Sequence, residues 1–219
     1  MTWSEIWPLL QEASVATAIM VGVSGLFATV FGLLFGVLLV LTDRDGLFPL
    51  PILNKLLGGV VNVGRSLPFI ILMIAIVPFT KLVTGGSSIG TEAMIVPLAV
   101  GAVPFYARLV ETALREVDPG VVAAARAMGA SGREIVWKVL LREARPGLLA
   151  GLTVTVIALV GYSAMAGTIG GGGLGDVAVQ YGYERFETKV MISTVVLLVV
   201  VVQLVQMLGD WAARRLSHK

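Results

Sequence analysis

Five long stretches of this chain contain no Asp, Glu, Lys or Arg, and they limit its possible folds more than any other feature. The stretches are 13–42, 66–80, 93–107, 146–175 and 190–209, and together they cover 110 of the 219 residues. A single soluble core does not require so much uncharged sequence, and disordered chains are typically poor in apolar residues. Since a helix needs about 20 mainly apolar residues to cross a bilayer, the pattern predicts an all-α integral membrane protein.

The uncharged stretches predict five membrane-spanning helices in a single membrane domain that comprises residues 1–219. The spans are predicted at about 15–41, 66–83, 92–110, 147–169 and 188–209. The second and third reach sufficient length only if Lys81 and Arg108 lie near helix ends, where long side chains can reach the headgroups. The first span is not expected to be a cleaved signal peptide, because residues 1–13 carry no Lys or Arg.

The distribution of positive charge predicts the orientation of the chain. With five spans, one side of the membrane would carry residues 42–65, 108–146 and 210–219, which hold 13 of the 16 Lys and Arg residues. Loops rich in Lys and Arg stay in the cytoplasm. We therefore expect the N-terminus outside and the C-terminus in the cytoplasm.

Small residues occupy every fourth position in part of the first span, namely Ser24, Ala28, Gly32 and Gly36. Such a stripe lets another helix approach closely within a membrane. We favour packing against a helix of the same chain over a dedicated dimer interface.

The segment 42–65 is predicted to lie on the cytoplasmic side. It opens with a turn at Thr42–Gly46. Between Ile52 and Val60, apolar residues recur at i, i+1, i+4 and i+5, which predicts an amphipathic helix on the membrane surface.

The polar region 108–146 is predicted to begin with a short helix. Asp118 is a favourable N-cap residue, and Pro119 occupies the preferred first helical position. The helix is expected to run to Met128 and to end at Gly129 as a left-handed cap.

A second short helix is predicted directly after this glycine. Ser131 and Glu134 have the spacing of a capping box, and the helix is expected to end near Pro146. The segment 118–146, which we call the coupling segment, is either a docking element for a partner protein or a hairpin lying on anionic lipid.

Several kinds of chemistry lack their residues in this sequence. Cysteine is absent, the only histidine is His218, and the spans hold no acidic pair and no ionisable residue in the membrane interior. These facts argue against a metal site, a Ser–His nucleophile, an aspartyl protease and a proton-coupled carrier. Residues 170–175 match G-x-G-x-x-G, but they follow an apolar span, and no phosphate-binding loop occurs. We expect a chain that is not an enzyme and holds no cofactor, with energy for active transport supplied by another chain.

Polar side chains recur along the fourth predicted span. We interpret Thr153 and Thr155 as packing residues. Tyr162, Ser163 and Met165 lie beside the glycine-rich segment, and we predict that they line a translocation pathway for a small zwitterion.

Three groups of residues resemble a known family. The first group resembles the EAA loop of binding-protein-dependent ABC importer permeases. It consists of Ala123, Ala124, Ala125, Arg126, Ala127, Met128, Gly129 and Ala130, followed by Ile135 and Leu140-Leu141. The amino-acid branch of that family is similar to residues 64–69 and 95–98. The methionine-import permeases are similar to residues 159–167, 171–175 and 180–183.

The resemblance implies a type I ABC importer permease fold in the bacterial cytoplasmic (inner) membrane. It also implies two permease chains, two copies of a cytoplasmic ATPase that bind ATP and Mg²⁺, and an extracytoplasmic binding protein; no nucleic-acid partner is expected. The substrate would be L- or D-methionine or a close analogue. The Ala123–Gly129 helix would fit a groove on each ATPase and transmit its closure to the spans, with residues 123–130 as the contact to the ATPase.

Two residues depart from the family pattern. Ala123 stands where the loop has an acidic residue, which leaves open any charged contact with the ATPase. Arg142 stands where a proline is usual, which predicts that the second short helix continues toward Pro146. The alternatives are a permease for another small amino acid or a dipeptide, a stand-alone channel or facilitator, and a structural membrane partner.

Overall fold

The computed structural model describes residues 1–216, so that His218 and Lys219 lie outside the described residues. Within them every regular element is helical, which confirms the all-α prediction. The elements are α1 (Trp3–Leu41), α2 (Pro51–Ser66), α3 (Phe69–Ala75), α4 (Val77–Val83), α5 (Thr91–Arg115), α6 (Pro119–Ala127), α7 (Gly132–Glu134), the π-helix π1 (Ile135–Leu140), α8 (Leu141–Glu143), α9 (Arg145–Gly167), α10 (Gly173–Val177), the π-helix π2 (Ala178–Glu184) and α11 (Thr188–Leu216).

Four of the described helices, α1, α5, α9 and α11, are each long and apolar enough to cross a membrane alone. A fifth crossing is obtained if α2 and α3 are counted as one span with a bend of 107° between them. The predicted spans 15–41, 92–110 and 188–209 lie within α1, α5 and α11. The predicted span 147–169 is displaced from α9 by two residues.

The second crossing differs from its predicted form, because α2 packs against the bundle instead of lying apart on a surface. The Asn54 side chain donates a hydrogen bond to the Leu39 carbonyl at 2.6 Å. Val61 is buried in a cluster with Leu39 and Ala107. The chain therefore rises along α1 and α5 from α2 onward, well before the predicted start of this span at residue 66. The amphipathic pattern reflects one face against these helices.

Helices α1 and α5 run parallel and meet at small residues, as the sequence predicts. A Cβ atom added at Gly32 would lie 2.8 Å from the Tyr106 ring, and one at Gly36 would lie 2.5 Å from Val110. Ser24 and Ala28, the other members of the stripe, are also buried. Packing within the chain is thus confirmed for this stripe, and we call the contact of Gly32 and Gly36 with α5 the glycine seam.

The two ends of the bundle differ in charge. At one end, which we call the charged end, Arg115 of α5 pairs with Asp43 in the loop after α1 at 2.6 Å. At the other end, the Gly90 amide donates to the Gly170 carbonyl at 2.9 Å, and the Met1 ammonium lies 3.0 Å from Glu187. Helix α11 starts beside Glu187 and runs toward the charged end, so the described chain begins and finishes at opposite ends.

The glycine-rich segment 170–175 reverses the chain beneath the end of α9. Gly172 and Gly173 have φ angles of +75° and +79°, which L side chains rarely adopt. The Thr17 hydroxyl of α1 accepts a hydrogen bond from the Leu174 amide at 2.9 Å. The segment is a tight turn held between α1 and α9, in agreement with rejecting it as a dinucleotide-binding motif.

Candidate functional site

The coupling segment leaves the charged end of α5 and begins with α6. The Asp118 carboxylate accepts a hydrogen bond from the Gly120 amide at 2.7 Å, and Pro119 occupies the first turn. Both features confirm the predicted helix start. A side-chain acceptor at this position satisfies one of the amides that the first helical turn leaves without a partner.

Gly129 ends α6 in the predicted left-handed conformation, with φ of +83°. The Ala130 amide donates back to the Ala125 carbonyl at 3.1 Å, which closes the helix end. No atom lies within 4 Å of a Cβ added at Gly129, so backbone conformation rather than crowding favours glycine here.

The eight predicted coupling residues are divided between a buried and an exposed face. Ala125 is buried against Ile135 and Val136 of π1, and Ala130 is partly buried. The other six are exposed, namely Ala123, Ala124, Arg126, Ala127, Met128 and Gly129. Met128, a large apolar side chain, is 82% exposed. Ala125, with Val122 partly buried beside it, thus holds α6, and the helix presents a small apolar surface.

The second short helix begins with the predicted capping box. The Ser131 amide donates to Glu134 Oε2 at 3.1 Å, and Lys138 lies 2.8 Å from the same carboxylate. The Lys138 ammonium and the Ser131 hydrogen bonds lower the pKa of Glu134 from about 4.5 to about 2. A carboxyl group whose pKa is lower in the folded than in the unfolded chain stabilises the folded state at a pH above its unfolded pKa. This contribution is therefore complete above about pH 4.5 and is lost as the pH falls toward 2.

The middle of this helix is a π-helix, π1, which we did not predict. Helical structure continues through Arg142 to Glu143 and pauses at Ala144, before α9 begins with Pro146 in its first turn. The expected continuation past Arg142 is therefore observed, and the break falls two residues before Pro146. The coupling segment is thereby joined almost directly to α9.

A charged network holds the end of α5 from which the coupling segment departs. Glu111 is only 6% exposed and accepts hydrogen bonds from Arg108 and from Arg115 Nε, the latter at 3.0 Å. Arg115 also donates to Asp43, and this hydrogen bond lowers the pKa of the Asp43 carboxyl. The loop after α1 and the start of the coupling segment are thus fixed to each other.

The three predicted pathway residues lie on two faces of α9. The Tyr162 ring stacks on Phe69 of α3 with centroids 4.5 Å apart, and Met165, one turn later, is 46% exposed. Ser163 is buried, and its hydroxyl donates to the Val160 carbonyl at 2.8 Å. The structure therefore places Tyr162 and Met165 on one side of α9, whereas the Ser163 side chain points into the interior of the bundle.

The packing role predicted for Thr153 and Thr155 agrees with their contacts. Both are buried and donate to carbonyls of their own helix, those of Leu149 and Gly151, at 2.9 Å and 2.8 Å. A hydroxyl group that forms such a hydrogen bond adds no unpaired polar group to a membrane interior.

Arg65, at the end of α2, is a further candidate that the sequence analysis did not single out. It lines a cavity of about 30 Å³ together with Tyr162, Phe69 and Phe105. The sequence predicts Arg65 among the loops of the charged end and no ionisable side chain in the membrane interior. The packing of α2 places Arg65, whose side chain is exposed, about halfway along the bundle and away from its charged end.

Comparison with known proteins identifies the family of the chain. Residues 28–219 match the family described as "Binding-protein-dependent transport system inner membrane component". The probable D-methionine transport system permease protein MetI of Vibrio cholerae is 51% identical over 211 residues, covering 96% of this chain and 93% of that protein. The methionine import system permease protein MetP of Bacillus subtilis is 45% identical over 173 residues, covering 79% and 78%.

Solved structures agree with this result. A structure of inward-facing conformations of the MetNI methionine ABC transporter matches with a TM-score of 0.95 and 47% identity, covering 100% of both chains. A crystal structure of an amino acid ABC transporter with histidines matches with a TM-score of 0.76 and 19% identity over 97% of this chain and 96% of that one, a similarity of fold alone. The predicted type I importer permease fold is confirmed. The chain belongs to the family of inner-membrane permease components of binding-protein-dependent transport systems.

Proposed function

We propose that this chain is the permease subunit of an ABC importer that moves methionine or a close analogue across the bacterial cytoplasmic membrane. Energy would come from ATP hydrolysis, with Mg²⁺, in separate ATPase subunits. The observation that supports this most strongly is the match over 100% of both chains, at 47% identity, with a chain of the MetNI methionine ABC transporter. The named relatives from two bacteria agree on methionine.

The proposed assembly has two copies of this chain, two ATPase subunits and an extracytoplasmic binding protein. In it, the N-terminus lies outside and the coupling segment lies in the cytoplasm. The concentration of Lys and Arg at the charged end supports this orientation. The five spans and single membrane domain of the sequence analysis are kept in this proposal, with the second crossing extended to include α2.

In the proposed coupling step, the exposed face of α6 docks on the ATPase. Docking is favoured over a hairpin on anionic lipid because the exposed surface is mainly alanine and methionine, with Arg126 as the one cation among residues 123–130. Closure of the ATPase pair would pull α6 of the two permease chains together. Ala125 contacts π1, and π1 leads through α8 into α9, so the movement would reach the pathway helix.

The proposed pathway passes the exposed side of α9. Tyr162 and Met165 lie on that side, next to the aromatic ring of Phe69. They offer a surface without a fixed charge, which a zwitterion can cross without being trapped. A pathway role for Ser163 stays a prediction and requires its hydroxyl to leave the Val160 carbonyl.

Uptake of labelled methionine by cells with and without this chain tests the proposed function. We expect uptake to disappear when the chain is removed, and unlabelled methionine to compete better than other amino acids. Unchanged methionine uptake with loss of another amino acid would move the substrate assignment within the family.

The energy source is tested with vesicles that contain the chain alone or with its ATPase. We expect transport only when ATPase, nucleotide and binding protein are all present. Solute movement through the chain alone would instead identify a facilitator, and no movement in any combination would point to a structural role.

A further inference from the structure

Arg65 is exposed and lies about halfway along the length of the bundle. Gly64, its neighbour, packs against Pro104, and the cavity beside Arg65 reaches Gly101 of α5. Gly101 is ten residues from Thr91 and 14 from Arg115, or about 15 Å and 21 Å from the two ends of α5 at 1.5 Å per residue. The backbone of Arg65, from which the guanidinium group extends, therefore lies about midway between the charged end and the opposite end.

This charge has no ionic partner within residues 1–216. The five ion pairs of that part of the chain involve the Met1 ammonium, Arg108, Arg115 and Lys138, and none involves Arg65. A charged side chain at membrane depth is costly, and such residues usually face a cavity and mark a substrate pathway. The position thus calls for an anionic partner from outside the described chain.

The surroundings of Arg65 limit what that partner can be. Phe69, Phe105 and Tyr162 line the same cavity, so the site combines one positive charge with aromatic rings. The cavity of about 30 Å³ holds no more than about one water molecule, so a larger ligand must lie on the exposed side of Arg65. A small anion attached to an apolar group fits this combination.

We propose that Arg65 binds the carboxylate of the amino acid during its passage, a role that rests on the proposed import function. The planar guanidinium can donate two parallel hydrogen bonds to a carboxylate. A thioether side chain would then lie near the aromatic rings, which form favourable contacts with sulfur. Arg65 is in this way a specificity-determining residue next to Tyr162.

Arg65 also lies in the last turn of α2, where any positive charge interacts favourably with the helix dipole. This structural contribution needs only a charge, whereas carboxylate binding uses the geometry of arginine. Arg65→Lys therefore separates the two roles, because it keeps the charge and removes the planar fork. Lys55→Gln is a matched control, since it removes one exposed positive charge from the same helix ten residues nearer its start.

The test uses the complete transporter in vesicles, with its ATPase and binding protein, and measures methionine moved per ATP hydrolysed. We expect Arg65→Gln to lower this ratio about tenfold and Arg65→Lys to lower it severalfold, while Lys55→Gln matches the wild type. Methionine amide, which lacks the anionic carboxylate, is the second probe. Its transport relative to methionine is expected to rise at least about tenfold in Arg65→Gln, because methionine loses its carboxylate contact and the cationic amide is no longer repelled.

The same binding protein serves every variant, so its own preference cancels in this comparison. An unchanged methionine-to-ATP ratio in Arg65→Gln, or full activity in Arg65→Lys beside an inactive Arg65→Gln, would overturn the proposal. A measurable amide-to-methionine ratio that is equal in wild type and Arg65→Gln would also overturn it. If Arg65→Gln fails to assemble, Arg65→Lys still distinguishes the two roles. A severalfold loss of methionine moved per ATP supports carboxylate binding, and full activity contradicts it. Absence of methionine transport by the wild type would instead refute the import function.

Discussion

Glu111 shows how one buried carboxylate can connect three parts of the chain. It accepts hydrogen bonds from Arg108 and Arg115 of its own helix, and Arg115 continues the network to Asp43 after α1. Both arginines keep solvent contact, with side chains 40% and 48% exposed. The network therefore stabilises the end of α5 mainly through Glu111, the one member that is shielded from water.

Replacing Glu111 with glutamine should loosen the charged end of α5. The neutral amide accepts weaker hydrogen bonds than the carboxylate, so we expect a loss of about 1–3 kcal/mol in the free energy of unfolding. This corresponds to a fall in melting temperature of about 2–4 °C per kcal/mol for a chain of this size. Thermal unfolding of the purified transporter measures the change.

Glu116→Gln is the control for Glu111→Gln. Glu116 is exposed, follows directly after α5 and forms no ion pair within residues 1–216. We expect its melting temperature to match the wild type. Equal effects of the two substitutions would show that net charge, and not the buried network, sets the stability of this end.

Among the elements, the turn between α6 and α7 depends on one backbone conformation. Gly129 has φ of +83°, which asparagine tolerates and a β-branched residue does not. We expect Gly129→Asn to keep most methionine uptake and Gly129→Val, like Gly129→Pro, to abolish it while the protein stays in the membrane. Uptake, together with co-purification of the ATPase, measures both effects.

Open space around Gly129 makes this comparison specific. Since no atom lies within 4 Å of an added Cβ, valine changes the backbone preference without creating a collision. Normal uptake by Gly129→Val would show that coupling does not require this turn. Loss of uptake in Gly129→Asn as well would show that any side chain is excluded, for instance by the ATPase surface.

The glycine seam makes a separate prediction about α1 and α5. A Cβ at Gly36 would lie 2.5 Å from Val110 and 2.6 Å from the Ala107 carbonyl, a backbone atom that cannot move aside easily. We expect Gly36→Val to cost about 3 kcal/mol or more and to lower the yield of folded protein. Size-exclusion chromatography and thermal unfolding measure this.

Gly22 on the same helix provides the control, because nothing lies within 4 Å of its added Cβ. Gly22→Val should leave yield and melting temperature close to those of the wild type. If both variants failed alike, the cause would be valine in α1 and not the contact with α5.

The long helices could be predicted from the sequence because apolar length alone specifies a membrane span. Helix α2 could not, because Lys55 and Arg65 interrupt the apolar run and its periodicity fits a surface helix equally well. The caps at Asp118, Gly129 and Ser131 were predictable, since each depends on chemistry within a few residues. The π-helix that follows them has no comparable local pattern.

At the scale of the whole molecule, the orientation in the membrane follows from charge and is open to a direct test. The chain contains no cysteine, so each introduced cysteine is the only thiol. Ser87 and Asp45 are both exposed, in the loop before α5 and the loop after α1. In intact cells with a permeable outer barrier, an impermeant thiol reagent should label Ser87→Cys and should label Asp45→Cys only after the inner membrane is opened. The reverse pattern would contradict the proposed orientation.

The candidate pathway is a property of the whole molecule that sequence analysis reached only in part. Tyr162 was predictable because a polar aromatic residue beside glycines stands out in an apolar span. Its neighbours were not, because Arg65 and Phe69 lie more than 90 residues earlier in the chain. Only the packing of α2 and α3 against α5 and α9 brings them together, and no local pattern contains that information.

The glycine seam also restricts the mechanical freedom of the chain. Tyr106 lies against Gly32 and Val110 against Gly36, so each large side chain is seated at a position that lacks a side chain of its own. Sliding α1 along α5 by one residue would replace each glycine with Leu33 or Val37 and close the space. The two helices therefore move together as one rigid body. Changes of shape must be absorbed elsewhere, at the breaks around α3 and α4 and at the turns of the coupling segment.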